Sequence, residues 1–172
     1  MAGRSSVSSS LRLSARQRRR LLAFLLAALI GAVGYGAGSA QPDVTVRRVI
    51  DGDTVELSDG QRVRYIGIDT PEVSRRRGNQ WVRDPEPMGH EATERNRQLV
   101  EGRPVRLEQD VQPHDKYGRL LAYVYVGELM VNETLLREGF AQLLTIPPNV
   151  KHVERFRRAV QDAREARRGL WK

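Results

Sequence analysis

Between Arg48 and Glu72 the chain reads RVIDGDTVELSDGQRVRYIGIDTPE, and this stretch restricts the fold more than any other. Val46 to Ile50 and Thr54 to Leu57 are rich in β-branched residues, which suit a pleated, half-buried strand. Ser58-Asp59-Gly60-Gln61 between two such runs holds the Asp-Gly pair of a tight hairpin. Arg62 to Ile68 then reads as a third strand. It ends at Asp69-Thr70-Pro71, because proline pushes its predecessor out of helical geometry and donates no N–H. A hairpin of this kind folds the aspartate-bearing strand ends together, bringing Asp53 beside Asp69. Two like charges repel there unless a cation lies between them.

Those residue types point to a site for a hard cation with a carboxylate beside it. Two carboxylates and a backbone carbonyl suit Ca²⁺ or Mg²⁺, which take oxygen ligands and keep positions for water or phosphate. Glu72 follows three residues after Asp69, near enough to reach a water at such a site. With an ordinary pKa of about 4.3 it is ionised at neutral pH and able to accept a proton. By strand parity Arg64 shares a face with Ile66 and Ile68, an unusual place for a permanent charge, and a bidentately held phosphate would neutralise it. On residue types alone a plainer reading stays open. Asp51-Gly52-Asp53 and Asp69-Thr70-Pro71 also suit ordinary turns, with Arg64 paired to a surface acid.

A second stretch bears on that choice. Asp115-Lys116-Tyr117-Gly118-Arg119 forms a turn into the strand Leu120 to Val126 and sets Arg119 at its entrance, where it could join Arg64 around one phosphate. VIDGDT, RYIGIDTPE, DKYGR and LAYVYVGELMVNETLLREG, in that order, resemble a staphylococcal-nuclease-type (thermonuclease) domain from about Val44 to Trp171. Any one of these motifs is weak; the ordered set is specific.

The resemblance implies roles residue by residue. Asp53 and Asp69 match the family's two Ca²⁺-binding carboxylates, and Thr70 the residue whose backbone carbonyl completes the protein ligands. Asp51 matches an acid standing just behind them. Glu72 corresponds to the general base, Arg64 and Arg119 to the phosphate-binding arginines, and Tyr117 to a tyrosine of the nucleotide pocket. One Ca²⁺ ion, DNA or RNA as substrate, a monomeric enzyme and cleavage that leaves 3′-phosphates are the corresponding expectations. One departure concerns the pocket. Where the family has a pair of tyrosines after the second helix, this chain reads Leu143-Leu144-Thr145-Ile146-Pro147-Pro148. Base stacking contributes about 1–3 kcal/mol per base, so the departure bears on substrate affinity rather than on the chemical step.

Charge is unevenly distributed along the 172 residues, whose formal net charge is +8. Residues 1–40 carry six arginines and no acid, leaving 23 basic against 21 acidic side chains from Gln41 onward. The basic excess is therefore mostly a property of the leader. Arg16 to Arg20 precede Leu21 to Gly38, eighteen uncharged residues, and then Ser39-Ala40-Gln41-Pro42. This is the layout of an export signal cut after Ala40, or of an uncleaved membrane anchor over residues 21–38. Arg19-Arg20 also allows a loose twin-arginine reading. Each reading places residues 41–172 outside the cytoplasm, secreted or membrane-held. With no cysteine, the chain has neither a disulfide framework nor a thiolate metal site.

Val73 to Pro87, with Arg75-Arg76-Arg77, reads as a loop that either guides a polyanion or is simply solvated, with Trp81 either stacking a base or pinning the loop. Gly89 to Glu101 reads as a helix with Met88, Ala92, Leu99 and Val100 inward. Val105 to Glu108 is a strand, Leu120 to Val126 and Leu129 to Val131 a hairpin, and Asn132 to Glu138 a second helix. Asn149 opens a third helix, whose apolar stripe is Val150, Val153, Phe156, Val160 and Ala163. The expected fold is thus α+β, mainly β: a five-stranded OB-type Greek-key barrel with about three helices, preceded by an apolar leader helix. A non-catalytic nucleic-acid-binding module on the cell surface is the main alternative. It would lack some of Arg64, Glu72 and Arg119, and all three are present.

Overall fold

A computed structural model describes residues 44–77, 80–84 and 86–172; the leader expected over residues 1–40 lies outside them. Among the described residues no helix is long and apolar enough to cross a membrane.

Five strands close into a barrel: β1 (Val44–Val49), β2 (Thr54–Leu57), β3 (Arg62–Tyr65), β7 (Pro104–Glu108) and β8 (Leu120–Val126). β1 pairs with β2 and β7, β2 with β3 and β7 with β8, all antiparallel. A parallel pairing of β3 with β8, Val63 opposite Leu120 and Tyr65 opposite Ala122, completes the ring. Each barrel strand thus has two neighbours, which removes the open edges that invite aggregation. Val46, Val55, Val63, Val105, Ala122 and Val124 fill the interior without exposure.

Three helices pack against this barrel. α1 (Gly89–Val100) buries Ala92, Leu99 and Val100 as the sequence implies, and buries Asn96 as well. Beyond the two-residue β9 (Leu129–Met130), α2 (Val131–Arg137) buries Leu135 and Leu136. Its Asn132 side chain accepts from the Val124 N–H at 2.9 Å and donates to the Ile66 carbonyl at 2.9 Å. That one amide ties the helix to β8 and to the chain that follows β3. α3 (Val153–Glu165) lays Phe156, Ala159, Val160 and Ala163 on the core, an apolar face at helical spacing.

Three expectations need correcting. The third strand does not run from Arg62 to Ile68: β3 stops at Tyr65, a turn takes Ile66-Gly67, and β4 is only Ile68–Asp69. Gly67 has φ +81°, and a Cβ there would lie 2.6 Å from the Phe156 ring, so this position requires glycine twice over. The turn breaks the alternation on which Arg64 was put beside Ile66 and Ile68. Residues 73–87 are not all loop. β5 (Ser74–Arg77) and β6 (Gln80–Arg83) pair antiparallel, Arg76 opposite Trp81. A ribbon held by its own backbone needs no buried face, so no apolar alternation marks it. Finally, the third helix starts at Val153 rather than Asn149, and Val150 is 45 % exposed. Asn149 instead joins the Gln112 segment, accepting from its N–H at 2.8 Å and donating to its carbonyl at 2.8 Å.

A polar cluster where β7 meets the start of α3 contributes to the acid sensitivity of the fold. Glu108 accepts from Tyr125 Oη at 2.8 Å, pairs with Lys151 at 2.7 Å and meets His152 Nε2 at 2.9 Å. Burial acts to raise its pKa, but the bonds from Lys151, His152 and Tyr125 prevail and hold it at about 2. A depressed carboxylate pKa adds stability above the unfolded value near 4.5, and that stability is lost as pH falls towards 2. Denaturant melts should therefore show stability falling between about pH 4.5 and pH 2. Glu108→Gln should flatten that fall; an unchanged profile would place the acid sensitivity elsewhere.

Candidate functional site

Asp53 follows the Asp51-Gly52 turn into β2, and its side chain is buried. The turn is tight because a Cβ on Gly52 would come within 2.5 Å of Thr70 Oγ1. Asp53 Oδ2 accepts from the Thr70 N–H at 3.0 Å and from Thr70 Oγ1 at 3.1 Å, while Oδ1 accepts from Thr54 Oγ1 at 3.2 Å. One carboxylate thus fastens the β1–β2 turn to the segment after β4.

Arg64 lies across the cleft mouth with its side chain 13 % exposed. Its Nε pairs with Asp53 Oδ1 at 3.1 Å and its Nη2 with Asp69 Oδ1 at 2.9 Å. Nη1 donates to the carbonyls of Tyr65 at 3.0 Å and Ile68 at 2.9 Å. The cation between the two aspartates is thus the guanidinium itself, and Arg64 finds its anionic partners within the protein, so the sequence-based argument that it needs a phosphate does not hold. Asp69 keeps 58 % side-chain exposure, and its backbone register is fixed by β10 (Gln142–Leu143), with Gln142 opposite Asp69.

Two carboxylates share this one guanidinium. Burial, with Asp51 adding to it, pushes the Asp53 pKa up to about 7 against the opposing pull of Arg64 and the Thr70 bonds. Among the described residues no group of three or more His, Cys, Asp or Glu side chains is arranged to hold a metal ion. The donors that do converge, Asp53, Asp69 and the peptide of Thr70, are all oxygens. An under-neutralised set of oxygen donors fits a hard divalent cation.

Glu72 sits on the exposed rim. Partial burial raises its pKa first, then Asp51 and Asp69, with Arg64 opposing. Its backbone is locked from two sides: its carbonyl accepts from the Glu86 N–H at 2.8 Å, and its N–H donates to Glu86 Oε2 at 3.3 Å. Gly89 presses on the same carbonyl, where a Cβ would approach to 2.7 Å.

Arg119 is held by its own turn. Asp115 Oδ2 accepts from Arg119 Nε at 2.7 Å and Oδ1 from the Arg119 N–H at 2.9 Å, and Gly118 takes φ +79° to permit it. Arg64 and Arg119 line one cavity of about 450 Å³ together with Tyr117, Leu144 and Ile146. Tyr117 is 72 % exposed and Ile146 61 %, so this wall is apolar and open to solvent. In sum, Asp53, Arg64, Asp69 and Thr70 touch directly, with Asp51 and Glu72 within their electrostatic reach. Arg119 and Tyr117 share a cavity with Arg64, and Asp53, Asp69 and Glu72 are not among the residues that line it.

Sequence reasoning missed Asn96. It accepts from the buried Tyr65 Oη at 2.9 Å and donates to the Asp51 carbonyl at 3.1 Å, so α1 carries the Asp51 turn. The signal was an amide four residues after Ala92, on the inward face of the helix. Glu86, which holds Glu72, had no such signal, whereas Asp115, which holds Arg119, lies in the DKYGR turn.

A closed five-stranded barrel, with Arg64 clasped by two aspartates and lining one cavity with Arg119, defines an OB-type domain. The model of staphylococcal nuclease homologues matches residues 62–172, a span that includes Arg64, Asp69, Thr70, Glu72, Tyr117 and Arg119 and begins beyond Asp51 and Asp53. The chain is 42 % identical over 129 residues to a thermonuclease of Staphylococcus hyicus, covering 73 % of each chain. It is 41 % identical over 134 residues to the SPbeta prophage-derived endonuclease YokF of Bacillus subtilis strain 168, covering 75 % of this chain and 44 % of that protein. To endonuclease YncB of the same strain it is 42 % identical over 134 residues, covering 75 % and 61 %. The chain belongs to the staphylococcal nuclease family. It spans only about half the length of the two Bacillus relatives.

Proposed function

We infer that this chain is a metal-dependent nuclease that hydrolyses phosphodiester bonds of DNA or RNA. The observation that carries the reading is one cavity lined by Arg64 and Arg119, with the same Arg64 pairing with Asp53 and Asp69. Two nuclease-named relatives from Bacillus and a thermonuclease from Staphylococcus support it.

Each residue then has a task. Asp53, Asp69 and the Thr70 carbonyl would hold a Ca²⁺ ion, with Asp51 behind them. When bound there, the ion supplies positive charge against the oxygens of the phosphodiester. Glu72 takes a proton from the attacking water as the new P–O bond forms. Arg119 and Arg64 donate to the equatorial oxygens, whose charge grows as the bond to the 5′-oxygen breaks. The 5′-oxygen leaves and takes up a proton from solvent, and a 3′-phosphate remains. Tyr117 with Leu144 and Ile146 offers a base an apolar wall where paired tyrosines are absent. Residues 1–40 would export the enzyme or anchor it in the membrane, and the catalytic part acts as a monomer outside the cytoplasm.

Arg119→Ala in the full chain should lower cleavage of single-stranded DNA and RNA by about 10²–10³-fold with Ca²⁺ present. The domain should remain folded, because Arg119 is paired mainly within its own turn. Normal turnover in this variant would contradict the two-arginine site.

A further inference from the structure

We propose that the β5–β6 hairpin is a second nucleic-acid contact, gripping the single strand that runs on from the scissile phosphate. The proposal rests on the nuclease reading above and adds a binding element to it.

Three observations carry it. The first is register. In an antiparallel pair, residues directly opposite one another share a face, and the faces alternate along the ribbon. Ser74 is opposite Arg83, Arg75 opposite Val82, Arg76 opposite Trp81 and Arg77 opposite Gln80. The eight paired residues thus include four arginines and one tryptophan. That is the composition of a single-strand platform, where guanidinium groups meet phosphates and an aromatic ring stacks a base.

The second is charge. Residues 41–172 hold 23 basic and 21 acidic side chains, and four of the 23 are Arg75, Arg76, Arg77 and Arg83. Without them the remaining 19 cations are outnumbered by the acids. From Ser74 to Arg83 there is no acidic residue. The excess positive charge of a chain whose proposed substrate is a polyanion is therefore concentrated on one ten-residue ribbon.

The third is attachment. β5 starts two residues after Glu72, and the returning strand leads to Glu86, whose N–H donates to the Glu72 carbonyl at 2.8 Å. The ribbon is thus closed at its base on the backbone of the proposed general base. At about 3.3 Å per residue its four-residue strands span about 13 Å, enough to follow a nucleotide or two.

The test uses the full chain and the variant Arg76→Ala/Trp81→Ala/Arg83→Ala. Binding of a fluorescein-labelled 20-nucleotide single strand is followed by anisotropy in chelator across a salt series. Turnover is measured in Ca²⁺ on that strand and on a nitrophenyl ester of thymidine 5′-phosphate, too short to reach the ribbon. The variant should weaken binding of the 20-mer at least tenfold. The slope of log affinity against log salt should fall by about 1.4, at roughly 0.7 per lost phosphate contact on a single strand. Turnover of the short ester should stay unchanged, with the loss on the 20-mer appearing in KM rather than kcat. Unchanged affinity and slope would overturn the proposal. So would an equal loss on both substrates, which would mean that the ribbon only positions Glu72. A wild-type chain that binds the 20-mer with the expected slope but cleaves neither substrate would refute the nuclease reading and leave the ribbon assignment standing.

Discussion

Glu72→Gln is expected to slow phosphodiester cleavage by about 10²–10⁴-fold, the usual contribution of a positioned general base. The amide keeps the size of the side chain but cannot take a proton from water. Stability should not fall with activity. Asp51, Asp69 and Glu86 all push the Glu72 pKa upward, so removing its charge relieves repulsion. The hydrogen bonds that lock this position run through the Glu72 backbone and survive the substitution. Turnover on labelled single-stranded DNA, measured beside a thermal melt, should therefore show a large rate loss with Tm unchanged or raised. Full activity would remove Glu72 from the mechanism; a lowered Tm would show that its carboxylate is structural.

Arg64→Ala should reduce both quantities. Activity is expected to fall by at least 10²–10³-fold, as for loss of a preorganised contact to the reacting phosphate. The variant also leaves the buried Asp53 without its guanidinium and deprives the carbonyls of Tyr65 and Ile68 of a donor. Removing one partner of a buried ion pair costs about 3–5 kcal/mol, because the other charge stays behind. Arg64→Lys keeps the charge without the planar fork, so it should regain part of the stability and little of the rate. Denaturant melts of the three proteins separate these effects. Wild-type stability in the alanine variant would contradict the clasp between Asp53 and Asp69.

The difference between those two variants shows how far the sequence could be read. Strand positions for β1, β2, β7 and β8 followed from β-branched runs and the Asp-Gly turn, because a closed barrel buries one side of each strand and leaves that pattern behind. Asp53 and Asp69 were read as neighbours from the hairpin, but its register sets Asp53 beside Tyr65, and the Ile66-Gly67 turn intervenes before Asp69. That Arg64 spans both was not legible. It depends on the Ile66-Gly67 turn ending the strand three residues early, and that turn packs against the distant Phe156 ring. Asn96 reaches the Asp51 turn from α1, a contact across 45 residues, while Asp115 braces Arg119 from within the same turn. The β5–β6 ribbon escaped because its pairing is backbone to backbone, with Gly78-Asn79 between the strands as the one hairpin signal in the sequence.

The most direct test is the rate at which the full chain cleaves single-stranded DNA and RNA as free Ca²⁺ is varied from chelated to millimolar. An acidic pocket that Arg64 only partly neutralises calls for a second positive charge. The rate should therefore rise from background to saturation with the ion and return to background in chelator, leaving 3′-phosphate ends. Cleavage that persists undiminished in chelator, or fails at every concentration, would contradict the account.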